Sequence, residues 1–277
     1  MLKEALKKAL TPEEISLLSS SFDVIGSIAI IKIPAELKSK ESLIGNEILD
    51  KVKNVRTVLN QTSDVAGEFR TRSLNLVAGE ENFETIYKEC GCSFKVNVRD
   101  VYFSPRLSTE RERVAALVEE DERIFNMFAG IGTFSIVIAK QRRCTVDSVD
   151  KNPAAIELAN ESLKLNKKLL GVVNPILADA KEYASRNPKT FDRVLMPLPE
   201  RSDDFLLSAI ESSKKGAIIH YYLHVPEDRF LQKDWISSHL EELNLGYTLQ
   251  VLKWKRVREI GPRYIQAVAD LKVLASG

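Results

Sequence analysis

The sequence predicts an α/β protein, a doubly wound parallel sheet preceded by a small α+β domain, and three observations carry that prediction. From Glu120 onward, short runs rich in β-branched residues alternate with helical stretches. The turn Phe128-Ala129-Gly130-Ile131-Gly132-Thr133-Phe134 stands between the first of these strands and the first helix. The next two strands end in acids, Asp150 and Asp179.

Taken in order, MLKEALKKAL has the spacing of a short, basic amphipathic helix, and TPEEISLLS that of a capped one. Thr11 is placed as its N-cap, Pro12 at its first position and acids in its first turn. FDVIGSIAIIKIP, β-branched and alternating, reads as one long strand or a strand pair that Pro34 ends. ESLIGNEILDKVK, residues 41–53, carries apolar side chains at helical spacing; RTVLNQT, FRTRSLNLVAG and CSFKVNVRDVYFS are strand-like. No internal repeat marks a boundary, so the change of pattern near residue 100 sets it. The expected parts are a helical segment over 1–20, a small α+β domain over 21–100 and a larger domain over 101–277. Within the larger one IFNMF, TVDSVD, VVNPIL, FDRVLMP and AIIHYY are the parallel strands. YTLQVLKWKRV and YIQAVADLKV close the chain as an antiparallel edge pair.

Composition narrows the class. A chain of 277 residues, 44% of them hydrophobic, buries a sizeable core. No apolar run approaches the roughly 20 residues that span a bilayer, so a soluble, cytoplasmic protein is expected, and a monomer. Cys90, Cys92 and Cys144 are too few for a disulfide framework, and neither Cys-Gly-Cys nor His220, His224 and His239 has metal-ligand spacing, so no metal is expected. His220, on an apolar strand, reads as a core histidine with a satisfied nitrogen. The formal charge of +1 announces no nucleic acid, and any basic face must be local, as in Arg70/Arg72, Arg106/Arg111/Arg113 or KWKRVREIGPR. Each such cluster taken singly is as well explained as a solvated face, and Lys140, Arg142 and Arg143 at a helix end are the most readily explained so.

Paired glycines between strand and helix let backbone approach a ligand at the helix N-terminus. Gly-x-Gly alone is explained nearly as often by a tight turn. Asp150, about 20 residues on, is where a ribose-binding acid belongs, and Asp179 is placed to receive an adenine amino group. Ser135 occupies the third glycine position of a dinucleotide fingerprint, which argues against NAD.

NMFAGIGTFSI resembles the first motif of class I methyltransferases, VDKNPAA the second, ADAKEY the third and DRVLMPLPE the fourth, in order and at normal spacing. The resemblance implies a Rossmann-like class I methyltransferase domain that binds S-adenosyl-L-methionine. It carries Asn126, Phe128, Ala129, Gly130, Gly132, Asp150, Lys151, Asn152, Asp179, Ala180, Pro197 and Pro199 over as cofactor-binding, the glycine turn around the methionine part and Asp150 on the ribose hydroxyls. Asn126 stands where the first motif usually opens with an acid.

GEFRTRSLNLVAGEENFETIYKECGCSFKVNVRDVYFSPRLSTERERVA, with HYYLHVPE downstream, is similar to the archaeal and eukaryotic tRNA (guanine-37-N1) methyltransferases. That family implies tRNA as partner, the small domain as RNA-associated, Glu110 as the base for the guanine N1 proton and Arg70 as the cation at O6. It adds Tyr102 and Arg106 to the cofactor wall; Arg111, Lys253, Lys255 and Arg256, with Arg106 beside them, are the expected RNA contacts. Without the resemblance, Glu110 is equally a first-turn helix acid and Arg70 a solvated strand residue. Pro197-Leu198-Pro199 replaces the family's Asn-Leu-Pro, whose asparagine helps hold the target base. Two further readings stay open: the related wybutosine-pathway aminocarboxypropyl transferases, which use the same cofactor, and a non-catalytic RNA-binding relative.

Overall fold

The computed structural model describes all residues except 1–5, 7–9, 19–21, 64–66, 233 and 277, so the basic helix expected over 1–10, with Lys3, Lys7 and Lys8, lies largely outside the described residues. The chain divides into two compact units, Met1–Glu89 with Ser93–Pro105, and Cys90–Cys92 with Arg106–Gly277.

In the smaller unit helix α1 (Pro12–Leu17) starts with a capping box: the Thr11 hydroxyl accepts from the Glu14 N–H at 3.3 Å, and the Glu14 carboxylate accepts from the Thr11 N–H at 2.9 Å. Strands β1 (Asp23–Ile25) and β2 (Ile28–Ile31) form a hairpin turned at Gly26, so FDVIGSIAIIKIP is a strand pair. Helix α2 (Glu41–Lys51) crosses over to β3 (Thr57–Gln61), which runs parallel to β2, and β4 (Leu74–Gly79) pairs antiparallel with β3. Ile44 and Ile48 of α2 bury against Val58 and Ala78. Gly45 sits so close to the sheet that a Cβ there would lie 2.5 Å from Val77. The strand expected over FRTRSLNLVAG covers only its second half; residues 67–70 form a turn in which Arg70 has φ +54°. A strand absent from the sequence reading, β5 (Glu84–Glu89), pairs with β6 (Cys92–Asn97).

The larger unit holds a seven-stranded sheet. Its parallel strands are β7 (Arg123–Asn126), β8 (Thr145–Asp150), β9 (Val172–Leu177), β10 (Phe191–Met196) and β11 (Ser213–Pro226). β12 (Tyr247–Gly261) and β13 (Tyr264–Ser276) are antiparallel additions. The spatial order is β12-β13-β11-β10-β7-β8-β9. β12 and β13 thus form the expected antiparallel pair at one edge of the sheet, with β12 outermost and β13 joining it to β11; β9 is the opposite edge.

The helices are α3 (Ser108–Leu117), α4 (Thr133–Gln141), α5 (Pro153–Leu165), α6 (Ala180–Arg186) and α7 (Ser202–Ser212), with the short α8 (Glu227–Leu231) and α9 (Trp235–Glu242) after β11. The core gathers Phe125, Phe191, Val194, Leu206, Ile219, Tyr221 and Leu271. The chain steps from β7 outward through β8 to β9, then returns to the other side of β7 with β10. That reversal opens a crevice beyond the carboxyl ends of β7 and β10, where doubly wound sheets bind ligands. Register carries the crevice on to β11, since Asn126 lies beside Leu195 and Met196 beside Tyr221.

Candidate active site

The crevice begins at the glycine turn. Gly130 and Gly132 have φ of +54° and +78°, a left-handed region that costs a residue with a Cβ. Nothing lies within 4 Å of where a Cβ on Gly130 would sit, so the backbone there is open to a ligand. The turn is tied down at both ends. The Ala129 N–H donates to the Val149 carbonyl at 2.9 Å, and the Gly130 N–H donates to Asp150 Oδ2 at 2.6 Å. Asp150 Oδ1 accepts from the Asn152 N–H at 2.9 Å, and Asn152 in turn N-caps α5 through the Ala154 N–H. Burial raises the Asp150 carboxyl above the ordinary range against these backbone donors. Each carboxylate oxygen has two lone pairs, so acceptor capacity is left for ligand hydroxyls.

Around this turn Phe128 packs edge-on against Phe205 at 4.8 Å, with Lys181 and Arg201 over the Phe205 ring. Asp179 caps α6 by accepting from the Lys181 and Glu182 N–H groups, and Ala180 is buried. Lys151 is exposed. In the loop after β10 Pro197 is half-buried and Pro199 buried, and the Leu198 carbonyl accepts from the Ser202 hydroxyl at 2.9 Å.

Asn126 is 0% exposed; its Nδ2 donates to the Ser135 hydroxyl at 3.1 Å, and Ser135 shares a 2.8 Å hydrogen bond with Ser148. These bonds tie the end of β7 to α4 and β8, while Asn126 Oδ1 is buried with no partner among the described residues.

Glu110, in the first turn of α3, is 2% exposed, so it is no solvated helix acid. Its Oε1 accepts from Arg113 Nη2 and from the Tyr222 hydroxyl, both at 2.8 Å, and its Oε2 accepts from Arg113 Nε at 2.9 Å. Lys255 Nζ stands 3.6 Å from Oε2. Arg113 also bonds Asp270 at 2.7 and 3.1 Å. Asp270 Oδ1 lies 2.6 Å from His220 Nδ1, while His220 Nε2 faces Arg193 Nη1 at 2.9 Å. Arginine can only donate, so Nε2 is the acceptor and the proton sits on Nδ1, donated to Asp270. His220 is thus a neutral core histidine, and burial holds its basicity below the ordinary value. Burial pushes the Asp270 carboxyl up, and the bonds from His220 and Arg113 more than reverse this, leaving it well below the carboxylate range. Arg193 ends the chain of charges on Glu122.

Among the expected RNA contacts, Arg111 is a correction. It is 3% exposed, with its guanidinium 5.9 Å from the Phe134 ring, whereas a phosphate contact needs an open cation. Lys255 turns toward Glu110, and Arg256 pairs with Glu227 and Glu259; Lys253 and Arg106 are exposed. Lys140, Arg142 and Arg143 engage Lys168 O, Ala116 O and Asp121, an ordinary structural use. Trp254 packs on Phe230 and Trp235. In the smaller unit the Arg70 guanidinium lies 4.3 Å over the Tyr102 ring, so Arg70 is a turn residue stacked on an aromatic face, not a solvated strand residue.

Sequence reasoning missed Arg113, Tyr222, Asp270 and Phe205. Two signals were there to find: Arg113 stands three residues after Glu110, a helical neighbour, and Asp270 is a lone acid in the apolar run YIQAVADLKV.

Comparison with known proteins agrees with this architecture. Residues 85–243 match the TRM5/TYW2 methyltransferase domain, and residues 2–82 the TYW2 N-terminal domain. The tRNA (guanine(37)-N(1))-methyltransferase Trm5b of Pyrococcus abyssi is 41% identical over 95% of this chain and 78% of its own length. A tRNA(Phe) (4-demethylwyosine(37)-C(7)) aminocarboxypropyltransferase of Methanocaldococcus jannaschii is 33% identical over 91% of this chain and 97% of its own. Among solved structures, that of aTrm5 in complex with tRNALeu superposes with a TM-score of 0.83 at 32% identity, covering 97% of this chain and 76% of that one. With more than half of its length matched by the domain model, and relatives of this identity along nearly all of it, the chain belongs to the TRM5/TYW2 methyltransferase family.

Proposed function

We propose that the protein is an S-adenosylmethionine-dependent tRNA methyltransferase, a soluble cytoplasmic monomer that methylates N1 of guanine-37. The observation that carries this reading is the likeness to the Pyrococcus abyssi enzyme along nearly the whole chain, both units included. The crevice fits the cofactor: Gly130 leaves open space against its backbone, and Asp150 keeps acceptor capacity beside it. When bound, S-adenosylmethionine supplies a methyl group made electrophilic by its sulfonium. Gly130, Gly132, Asp150, Lys151, Asn152, Asp179, Ala180, Pro197 and Pro199 are the residues we assign to hold it, with Phe128, Ala129, Tyr102 and Arg106.

The protein's part in the chemistry is a proton and a charge. Guanine N1 carries a proton, so Glu110 removes it, and the electron pair left on the base spreads onto O6, where the cation Arg70 stabilises it. Arg106, Lys253, Lys255 and Arg256 serve the RNA backbone.

A second reading, aminocarboxypropyl transfer to a modified guanine-37, is favoured by the match of residues 2–82 to the TYW2 N-terminal domain and by Pro197, which offers no side-chain hydrogen bond to a target base. One reaction separates the two. Incubated with unmodified guanine-37 tRNA and labelled cofactor, the protein is expected to release S-adenosylhomocysteine and leave 1-methylguanosine in the digested tRNA. Release of methylthioadenosine with a 4-demethylwyosine-containing tRNA, and no methylguanosine from the unmodified one, would overturn the first reading in favour of the second.

A further inference from the structure

The buried charges behind Glu110 do more than hold α3 to the sheet. A carboxylate offers four in-plane acceptor positions, two on each oxygen. On Glu110 both positions of Oε1 are filled, by Arg113 Nη2 and the Tyr222 hydroxyl, and one of Oε2 by Arg113 Nε. Lys255 Nζ, at 3.6 Å, is too far to fill the fourth. We propose that Arg113 and Tyr222 are positioning residues that lock Glu110 so that a single acceptor site, on Oε2, is left to take the substrate proton. The proposal rests on the reading of Glu110 as the base. In that step the N1–H bond of guanine breaks, the new O–H bond forms at Oε2, and the electron pair stays on N1.

Three features support a lock instead of a plain salt bridge. The Arg113 fork contacts both oxygens and so fixes the plane of the carboxylate, which a single donor cannot do. Arg113 is itself held from behind by Asp270, 157 positions away, which His220 pins in turn, with Arg193 bonded to the far nitrogen of His220. Tyr222 sits just past the β11 position that pairs with the end of β10, and its ring lies 6.1 Å from Phe134, in the first turn of α4 behind the glycine turn. The lock is therefore built on the strand ends that form the crevice. Toward Glu110 the Tyr222 hydroxyl is the donor, since burial and the Glu110 charge hold its phenol far above the ordinary range and so keep its proton in place.

Tyr222→Phe and Arg113→Lys test this, each conservative in size or charge. Single-turnover rates with saturating tRNA and cofactor are measured across pH and normalised to bound cofactor, so that any unfolded fraction drops out. Tyr222→Phe is expected to lower the rate about tenfold, the weight of one hydrogen bond, with tRNA and cofactor affinities unchanged. The loss should fall on the single-turnover rate and leave both affinities alone, a split that a merely structural role would not produce. Arg113, Lys255 and Asp270 are the other charged groups around Glu110, and all remain in that variant. Arg113→Lys keeps the charge but not the fork, and a comparable or larger fall is expected. Wild-type rates in both variants would overturn the proposal, as would a loss confined to cofactor affinity. Glu110→Gln separates the two levels: if it alone is slow, Glu110 is the base but is not positioned by this lock, and if it turns over at the wild-type rate the base itself lies elsewhere.

Discussion

Asp150 shows how much one side chain can carry. It ends a strand, accepts the Gly130 and Asn152 N–H groups and so joins the two loops that border the crevice. Asp150→Ala should lower cofactor affinity tenfold or more, since a hydrogen bond to a charged group contributes roughly 1.5 to 3 kcal/mol and the turn loses its tie as well. Calorimetric titration with S-adenosylmethionine measures this, and an unchanged Kd would remove Asp150 from the site. Glu110 carries a different weight than its neighbours in sequence suggest. An exposed first-turn acid contributes at most about 1 kcal/mol. Removing one partner of a buried pair costs on the order of 3 kcal/mol, so Glu110→Gln should lower the melting temperature by several degrees as well as slow turnover roughly 10²- to 10⁴-fold. A variant as stable as the wild type in thermal melts would mean that the Arg113 pair contributes little. The position of Glu110 at the start of a helix was legible in STERER. Its burial was not, because the partners that bury it, Tyr222 and, through Arg113, Asp270, lie more than 100 positions away.

Among the elements, the sheet was read best where local chemistry alone decides. TVDSVD and VVNPIL coincide with β8 and β9 to the residue, because β-branched runs broken by acids or turns need no tertiary information. β5 escaped because ETIYKE is a short run closed by charged residues at both ends with only Ile86 and Tyr87 apolar in its middle, and only pairing with β6 makes it a strand. The closing antiparallel pair was legible as well, although which of its two strands lies outermost was not, because only the pairing of β13 with β11 decides that. The contact of β11 with β13 gives a pH prediction. His220 is neutral when folded and burial keeps its basicity low, whereas in the unfolded chain it titrates near about 6.5. Below that value the unfolded state binds more protons, so stability falls as pH falls. Asp270, held below the carboxylate range, adds a loss of the same sign at lower pH still. Between pH 7 and 5 the His220 contribution is lost at up to about 1.4 kcal/mol per pH unit, and His220→Gln, which keeps a donor and an acceptor, should flatten that slope. Denaturant midpoints across this range check it, and an unchanged slope in the variant would place the pH dependence elsewhere.

For the whole molecule, the difficulty is a tRNA partner for a chain whose formal charge is only +1. Forty basic and 39 acidic residues nearly cancel, yet binding depends on where cations are open, not on their sum. Much of the basic inventory is spent internally: Arg113 and Arg193 are locked in the buried chain, Arg111 is covered, and Arg143 and Lys214 pair with surface acids. Of the expected RNA contacts, Arg106 and Lys253 are exposed; Lys255 and Arg256 have acidic neighbours. If these cations hold the RNA backbone, each phosphate neutralised releases condensed counterions, and log K should fall linearly with log salt. A small set of open cations predicts a moderate slope, steeper than about −1 and far from that of a protein with a continuous basic face. Lys253→Ala should weaken binding at low salt and reduce the slope by about one contact, without altering which product forms, because a phosphate contact carries no sequence information. Arg256→Ala should do less, since Arg256 must first give up Glu227 and Glu259. Filter binding of one tRNA over a salt series, for the wild type and both variants, decides the matter. A flat dependence for the wild type would mean that the RNA is held through base stacking and hydrogen bonds, and that the exposed cations of β12 belong to an ordinary solvated edge.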